Sequence, residues 1–248
     1  MMTYNVRLLI EYDGTNFHCW QGQANLPTIQ GALEDVLTQI TKQPVKLTGA
    51  GRTDSGVHAE GQVANFKCGL RIAESSWVKA INSLLPPDIV IKNAEYVPTE
   101  FHARYSAKSK TYQYRILNSD QASPFLRNFV WHIKHSLNIS SIKEAAEYLI
   151  GKHDFSSFRA SDCSAKSPVR TLDRIEITSN PPTILLTFGA RSYLQHMVRN
   201  IVGTLVEVGR GRFKPSDIRD ILDKKDRRYA GPIAQPQGLF LVEIKYDE

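Results

Sequence analysis

The chain has 248 residues, 42% hydrophobic and 23% charged, a composition that fits a globular protein with a sizeable core. No apolar run approaches the ~20 residues of a membrane helix, and three widely separated cysteines, Cys19, Cys68 and Cys163, argue against a disulfide framework or a zinc ribbon. The net charge of +6 is uneven: residues 1–105 carry 9 Lys+Arg against 10 Asp+Glu, and residues 106–248 carry 22 against 15, so the second half supplies a positive field suited to a polyanion, nucleic acid first.

The N-terminal "MMTYNVRLLI" lacks the features of a signal peptide, and a cytoplasmic location is expected. In "TYNVRLLIEY", Tyr4, Val6, Leu8 and Ile10 alternate onto one face, which predicts a strand. "TIQGALEDVLTQI" places Ile29, Leu33, Val36, Leu37 and Ile40 on one helical face, with Thr28 as N-cap and Pro44 beyond the end. "VKLTGA" and "GQVANFKC" read as strands around a glycine-rich loop. "SSWVKAINSLL" reads as a short helix stopped by Pro86-Pro87, and "DIVIKNAEYV" as a strand.

The second half opens with a strand, "SKTYQYRIL", and a further one is expected at "FVWHI". "SIKEAAEYLIG" predicts a helix with a Ser141…Glu144 capping box and Gly151 past its end. "LDRIEITS" and "TILLTFGA" form a hairpin through "NPP". "SYLQHMVRNIVGTLVEVG" predicts a long apolar helix ending at Gly209, "SDIRDILD" a short one, and "GLFLVEIKY" the last strand. Strands interleaved with about two helices per half predict an α+β fold with a largely antiparallel sheet. The expected division is an N-terminal half, 1–105, and a basic C-terminal half, 106–248. The two could be diverged copies of one unit.

The most heavily functionalised stretch is "GAGRTDSGVHAEGQ", residues 49–62. As a dinucleotide loop it fails, because Asp54 stands where G-x-G-x-x-G needs its third glycine and a strand follows. His58-Ala59-Glu60 matches half of a zinc deaminase signature, but no P-C-x-x-C completes it. Asp54-Ser55-Gly56 resembles one arm of an aspartic protease. No second copy exists, and Arg52 favours a fully ionised carboxylate over a shared proton. A plain turn built from Gly and Asp is the bland alternative, but the loop is long and chemically loaded for that. What remains is one aspartate beside one arginine, able to act as nucleophile or as stabiliser of a cationic centre.

"GAGRTDSGVHAEGQVANF" resembles the signature of the TruA-type tRNA pseudouridine synthases. "YDGTNFHCWQGQ", "FHARYSAKSKTYQYRI", "HDFSSFRASDC", "HMVRNIVGTLVEVG" and "PQGLFLVEIKY" match the same family in the same order, across nearly the whole chain. The resemblance implies isomerisation of uridine to pseudouridine at positions 38, 39 and 40 of the tRNA anticodon arm. It implies no metal and no organic cofactor. It also implies a homodimer with tRNA across both subunits, and two halves whose strands join in one long sheet with the catalytic cleft between them. By resemblance Asp54 is the nucleophile, Arg52 helps to extrude the base, Tyr112 stacks on the uracil, and Arg199 pairs with Asp54.

Each residue also has a plainer reading. Tyr112 shares a strand face with Tyr114 and Ile116 and could be core. Arg199 lies with His196 and Asn200 on one side of its helix and could be a solvated surface arginine. His58 reads as a structural loop residue. Cys68, the nearest thiol to the loop along the sequence, sits in a strand and is a poor nucleophile. The chain departs from the family pattern at Arg191 and Tyr193, where a small polar residue and phenylalanine are expected, and at "HCWQ". The competing functional class is a non-catalytic RNA-binding or chaperone module on the same scaffold.

Overall fold

The computed structural model describes residues 3–23 and 25–247. Two compact units are distinguished: Met1–Lys108 with Phe240–Glu248, and Ser109–Leu239. Each is an α+β unit whose strands pair mostly antiparallel.

In the first unit, strand β1 (Tyr4–Tyr12) pairs antiparallel with β3 (His58–Cys68) on one side and β4 (Ile89–Val97) on the other. Its alternation is real: Val6, Leu8, Ile10 and Tyr12 are buried while Leu9 is exposed, because side chains on a strand point to opposite faces. Helix α1 (Ile29–Thr41) starts where its cap was expected. The Thr28 hydroxyl accepts from the Gly31 amide at 3.1 Å, and Lys42 in the left-handed region (φ 57°) ends it. Helix α2 (Glu74–Asn82) buries Trp77 and Ile81. Of "VKLTGA", only β2 (Thr48–Gly49) pairs, with Asn65 and Ala64 of β3. The last strand, β10 (Leu239–Lys245), returns to lie parallel to β3, with Phe240 beside His58 and Leu241 beside Ala59.

Two buried asparagines hold the far end of this sheet. Asn65 Nδ2 donates to Asn5 Oδ1 at 2.8 Å, and Asn65 Oδ1 accepts from the Ala103 amide at 2.9 Å. Asn5 Nδ2 donates to the Pro98 and Phe101 carbonyls, both at 2.9 Å. Backbone groups of a non-repetitive segment would otherwise be buried without partners, which is costly.

In the second unit, β9 (Thr183–Ala190) lies between β5 (Ser109–Asn118) and β8 (Val169–Asn180), and β7 (Gly151–Asp154) covers the outer side of β8. Strand β6 (Trp131–Ile133) pairs parallel with the end of β5. The β8–β9 hairpin turns through a cis Pro181–Pro182 peptide. Helix α4 (Met197–Gly209) buries every residue except Arg199. Helices α3 (Ile139–Glu147) and α5 (Asp217–Lys224) complete the unit.

Three sequence expectations are corrected here. The cap of α3 is Asn138, whose Oδ1 accepts from the Ser141 amide at 3.1 Å, so the helix starts before the expected Ser141 box; asparagine is an effective N-cap. Helix α3 also stops at Glu147, and Gly151, at φ +104°, opens the unforeseen strand β7. Helix α4 begins at Met197 rather than Ser192. His196 sits at φ 60°, a left-handed conformation that a right-handed helix cannot continue through.

Candidate active site

The loop between β2 and β3 is pinned from beneath, largely through its backbone. Gln62, fully buried, donates from Nε2 to the Gly51 carbonyl at 2.9 Å. The Ala50 amide donates to the Val63 carbonyl at 2.8 Å, and the Trp20 amide donates to the Thr53 carbonyl at 3.1 Å. The Thr53 hydroxyl shares a buried 2.8 Å hydrogen bond with Tyr12. The Val57 amide then closes on the Asp54 carbonyl at 3.2 Å, in a turn that places Gly56 at φ +72°. Thr53 is thus the inward residue. Arg52, exposed, and Asp54, half-buried, flank it in sequence, as alternation along extended chain requires.

Two glycines make this packing possible. A Cβ on Gly49 would collide with the Trp20 indole, and one on Gly14 with the Val57 carbonyl. Trp20 in turn lies beside Tyr12, ring centroids 5.9 Å apart. His58 is buried and stacks on Phe240 at 4.7 Å. Its Nδ1 lies 3.1 Å from both the Gly14 amide and Asp13 Oδ1. A single ring nitrogen accepts in the first contact and donates in the second, so only one is a hydrogen bond at a time, and the tautomer decides which. Either way His58 joins residues 13–14 to the start of β3.

Cys19 lies close enough to this loop to feel its charges. Burial raises the Cys19 pKa; its bond to the Gln21 carbonyl opposes this, the Asp54 charge adds to it, and Arg52 works against it. Distance along the sequence hides this, because the 13–23 segment folds back over the loop, and no local pattern announces that.

In the second unit Tyr112 is buried on β5, opposite Phe188 of β9. Its ring meets that of Tyr193 edge-on, centroids 5.0 Å apart and planes at 85°. The Tyr193 hydroxyl donates to the Lys110 carbonyl at 3.1 Å. Tyr114, on the same strand face, donates to the Gln235 carbonyl at 2.6 Å. Burial pushes its hydroxyl pKa up strongly, and the Arg199 charge pulls against that. Arg199 Nε donates to the Ala234 carbonyl at 2.9 Å, while the Ala234 amide returns a bond to the Arg199 carbonyl at 3.1 Å. Next along α4, Asn200 donates to the Phe158 carbonyl at 2.8 Å and accepts from Arg227 at 3.0 Å. The first turn of α4 is therefore fixed on two sides.

The structure places Arg52 and Asp54 together in one loop of the first unit, and Tyr112 and Arg199 on β5 and α4 of the second. Thr53, Gln62, Trp20 and Ala234 are positioning residues that sequence reading did not single out. Tyr193 was marked only as a departure from pattern.

One loop of the first unit thus carries a carboxylate and a guanidinium, and the second unit carries a tyrosine packed edge-on against Tyr193. The family model described as tRNA pseudouridine synthase matches residues 8–106 and 145–247. Proteins named tRNA pseudouridine synthase A are similar over nearly the full length. One from Thermoanaerobacter sp. (strain X514) is 49% identical over 98% of this chain and 99% of its own. One from Acetivibrio thermocellus is 45% identical over the same shares, and one from Shewanella sediminis is 41% identical over 98% and 93%. The chain belongs to the tRNA pseudouridine synthase family, a family of isomerases. Among the described residues no helix is long and apolar enough to cross a membrane.

Proposed function

We propose that this protein isomerises uridine to pseudouridine at positions 38, 39 and 40 of the tRNA anticodon arm, with Asp54 as its nucleophile. The reaction breaks the N1–C1′ bond, forms a C5–C1′ bond, and exchanges the C5 proton for one taken up at N1. Nothing is oxidised and no water is consumed, so one carboxylate able to engage the ribose C1′ or the uracil C6 suffices as the covalent partner. The observation that carries this reading is the pinned loop, which fixes its backbone through Gln62, Trp20 and Thr53 and leaves Arg52 and Asp54 on the outward side.

A stacked target must first leave its helix, at a cost of a few kcal/mol. Arg52 offers a flat cationic face for the vacated position and its phosphates. Tyr112 offers a stacking surface worth roughly 1–3 kcal/mol per base. Arg199 is assigned as the ionic partner of Asp54; its place as the one incompletely buried residue of α4 supports this. The homodimer, with tRNA lying across both subunits, is assigned on family resemblance, and a cytoplasmic location follows from the substrate.

The test is Asp54→Asn. The variant should bind tRNA as the parent does and release no tritium from tRNA labelled at uridine C5. Full turnover by Asp54→Asn would overturn the nucleophile assignment. Binding without turnover in the parent itself would favour a non-catalytic RNA-binding module.

A further inference from the structure

A surface pocket of about 230 Å³ opens in the second unit beside β7 and β8. Lys152 of β7, Arg170 and Thr171 of β8, and Arg191 and Ser192 just past β9 line it, together with one carboxylate, Asp173. Lys152 pairs across the strands with Thr171. A register shift between Leu172 and Arg174 leaves Asp173 as the extra residue of a bulge, a feature that re-aims side chains.

Among the described residues, none of the three cations makes an ion pair with a carboxylate. Arg170 Nη1 donates only to carbonyls of its own loop, Ser167 at 2.9 Å and Val169 at 2.7 Å. Its Nε is buried with no hydrogen-bond partner. A buried donor left unpaired calls for an explanation such as an ion or water. Three cations against the one carboxylate of Asp173 leave the lining net positive, which favours an added anion. Two hydroxyls, on Thr171 and Ser192, complete a donor set suited to phosphate oxygens. A volume of this size admits a phosphodiester with its nearest waters, at about 30 Å³ per water.

The pocket also lies beside the first residues of the tyrosine strand. Ala190, the residue before Arg191, pairs with Lys110 of β5. Tyr193, two residues after Arg191, touches Tyr112.

We infer that the Lys152–Arg170–Arg191 pocket binds a backbone phosphate of the substrate RNA, close to the nucleotide that Tyr112 stacks on. The inference rests on the proposed tRNA-modifying function. Burial lowers the Arg170 pKa, and a bound phosphate would offset that cost.

The test uses the full chain with an unmodified tRNA transcript and, separately, inorganic phosphate. The double variant Lys152→Gln/Arg191→Gln removes two exposed charges. It should weaken tRNA binding roughly tenfold at low salt and flatten the log–log salt dependence by about one unit. Arg191→Lys should recover part of the loss. Lys143→Gln, which removes a charge from the exposed side of α3, should leave affinity and slope unchanged. Equal affinity and slope in the double variant overturn the inference, as does an equal change in Lys143→Gln. Loss of inorganic phosphate binding with tRNA binding intact also overturns it, since the pocket would then take a free anion. Pseudouridine formation by the parent is scored separately. Its absence, with the salt slope still changed, sinks the proposed isomerase reading and leaves the phosphate site standing.

Discussion

Tyr193 braces Tyr112: the two rings meet at 85° with centroids 5.0 Å apart, and the Tyr193 hydroxyl is tied to the Lys110 carbonyl two residues before Tyr112. An edge-to-face pair contributes about 0.5–1.5 kcal/mol beyond its area. It also limits where the Tyr112 ring can sit. Tyr193→Leu should therefore slow single-turnover isomerisation roughly fivefold, in line with losing one such contact. Tyr193→Phe keeps the ring and should restore most of that rate. If Leu and Phe slow the reaction alike, the hydroxyl rather than the ring is what matters, and the bracing argument fails.

Gly49→Ala and Gly14→Ala should both destabilise the first unit. The added methyl meets the Trp20 indole in one case and the Val57 backbone in the other. Overpacking of this kind costs about 1–3 kcal/mol. Because both collisions abut the Asp54 loop, turnover should fall with the urea midpoint. A variant of either kind with a parental midpoint would mean the loop can move aside.

Much of the first unit was legible in its sequence, because β1 and α1 each show one clean period and α1 also a recognisable cap. The missed elements share a cause. Strand β7 is four residues long and follows a glycine, too short for any period to emerge. The start of α4 depends on one residue, His196, adopting a left-handed backbone, which its neighbours do not signal. In the site, Arg52 and Asp54 stood out as charges in a glycine-rich loop. Gln62 and Thr53 did not, since they act through backbone groups that only the folded chain brings near.

Asn65→Ala should cost about 2–3 kcal/mol. It leaves Asn5 Oδ1 and the Ala103 amide without their partners, and an abandoned buried polar group costs ~1–3 kcal/mol. Urea unfolding of the variant measures this. A loss below ~1 kcal/mol would show that water replaces the asparagine.

Asp226 predicts an acid limb in the stability profile. Its carboxylate accepts from the Arg228 side chain and amide, and these bonds hold its pKa at about 2, below the ordinary value. A depressed carboxylate stabilises the fold above the unfolded-state pKa, about 3.9, and that contribution fades as pH falls through the folded value. Asp226→Asn should flatten the urea midpoint between about pH 4 and pH 2 relative to the parent. Parallel profiles would remove Asp226 from the account. The group is partly exposed and its partner Arg228 is exposed, so the effect should shrink with added salt.

The Asp54 loop is anchored by carbonyls and amides of its own backbone and by the inward Thr53, at Gly51, Thr53, Asp54 and Val57. Arg52 is exposed and takes no part in those bonds. It can therefore be exchanged for an isostere in a frame that keeps its shape, and a slower reaction in such a variant can be assigned to the missing guanidinium.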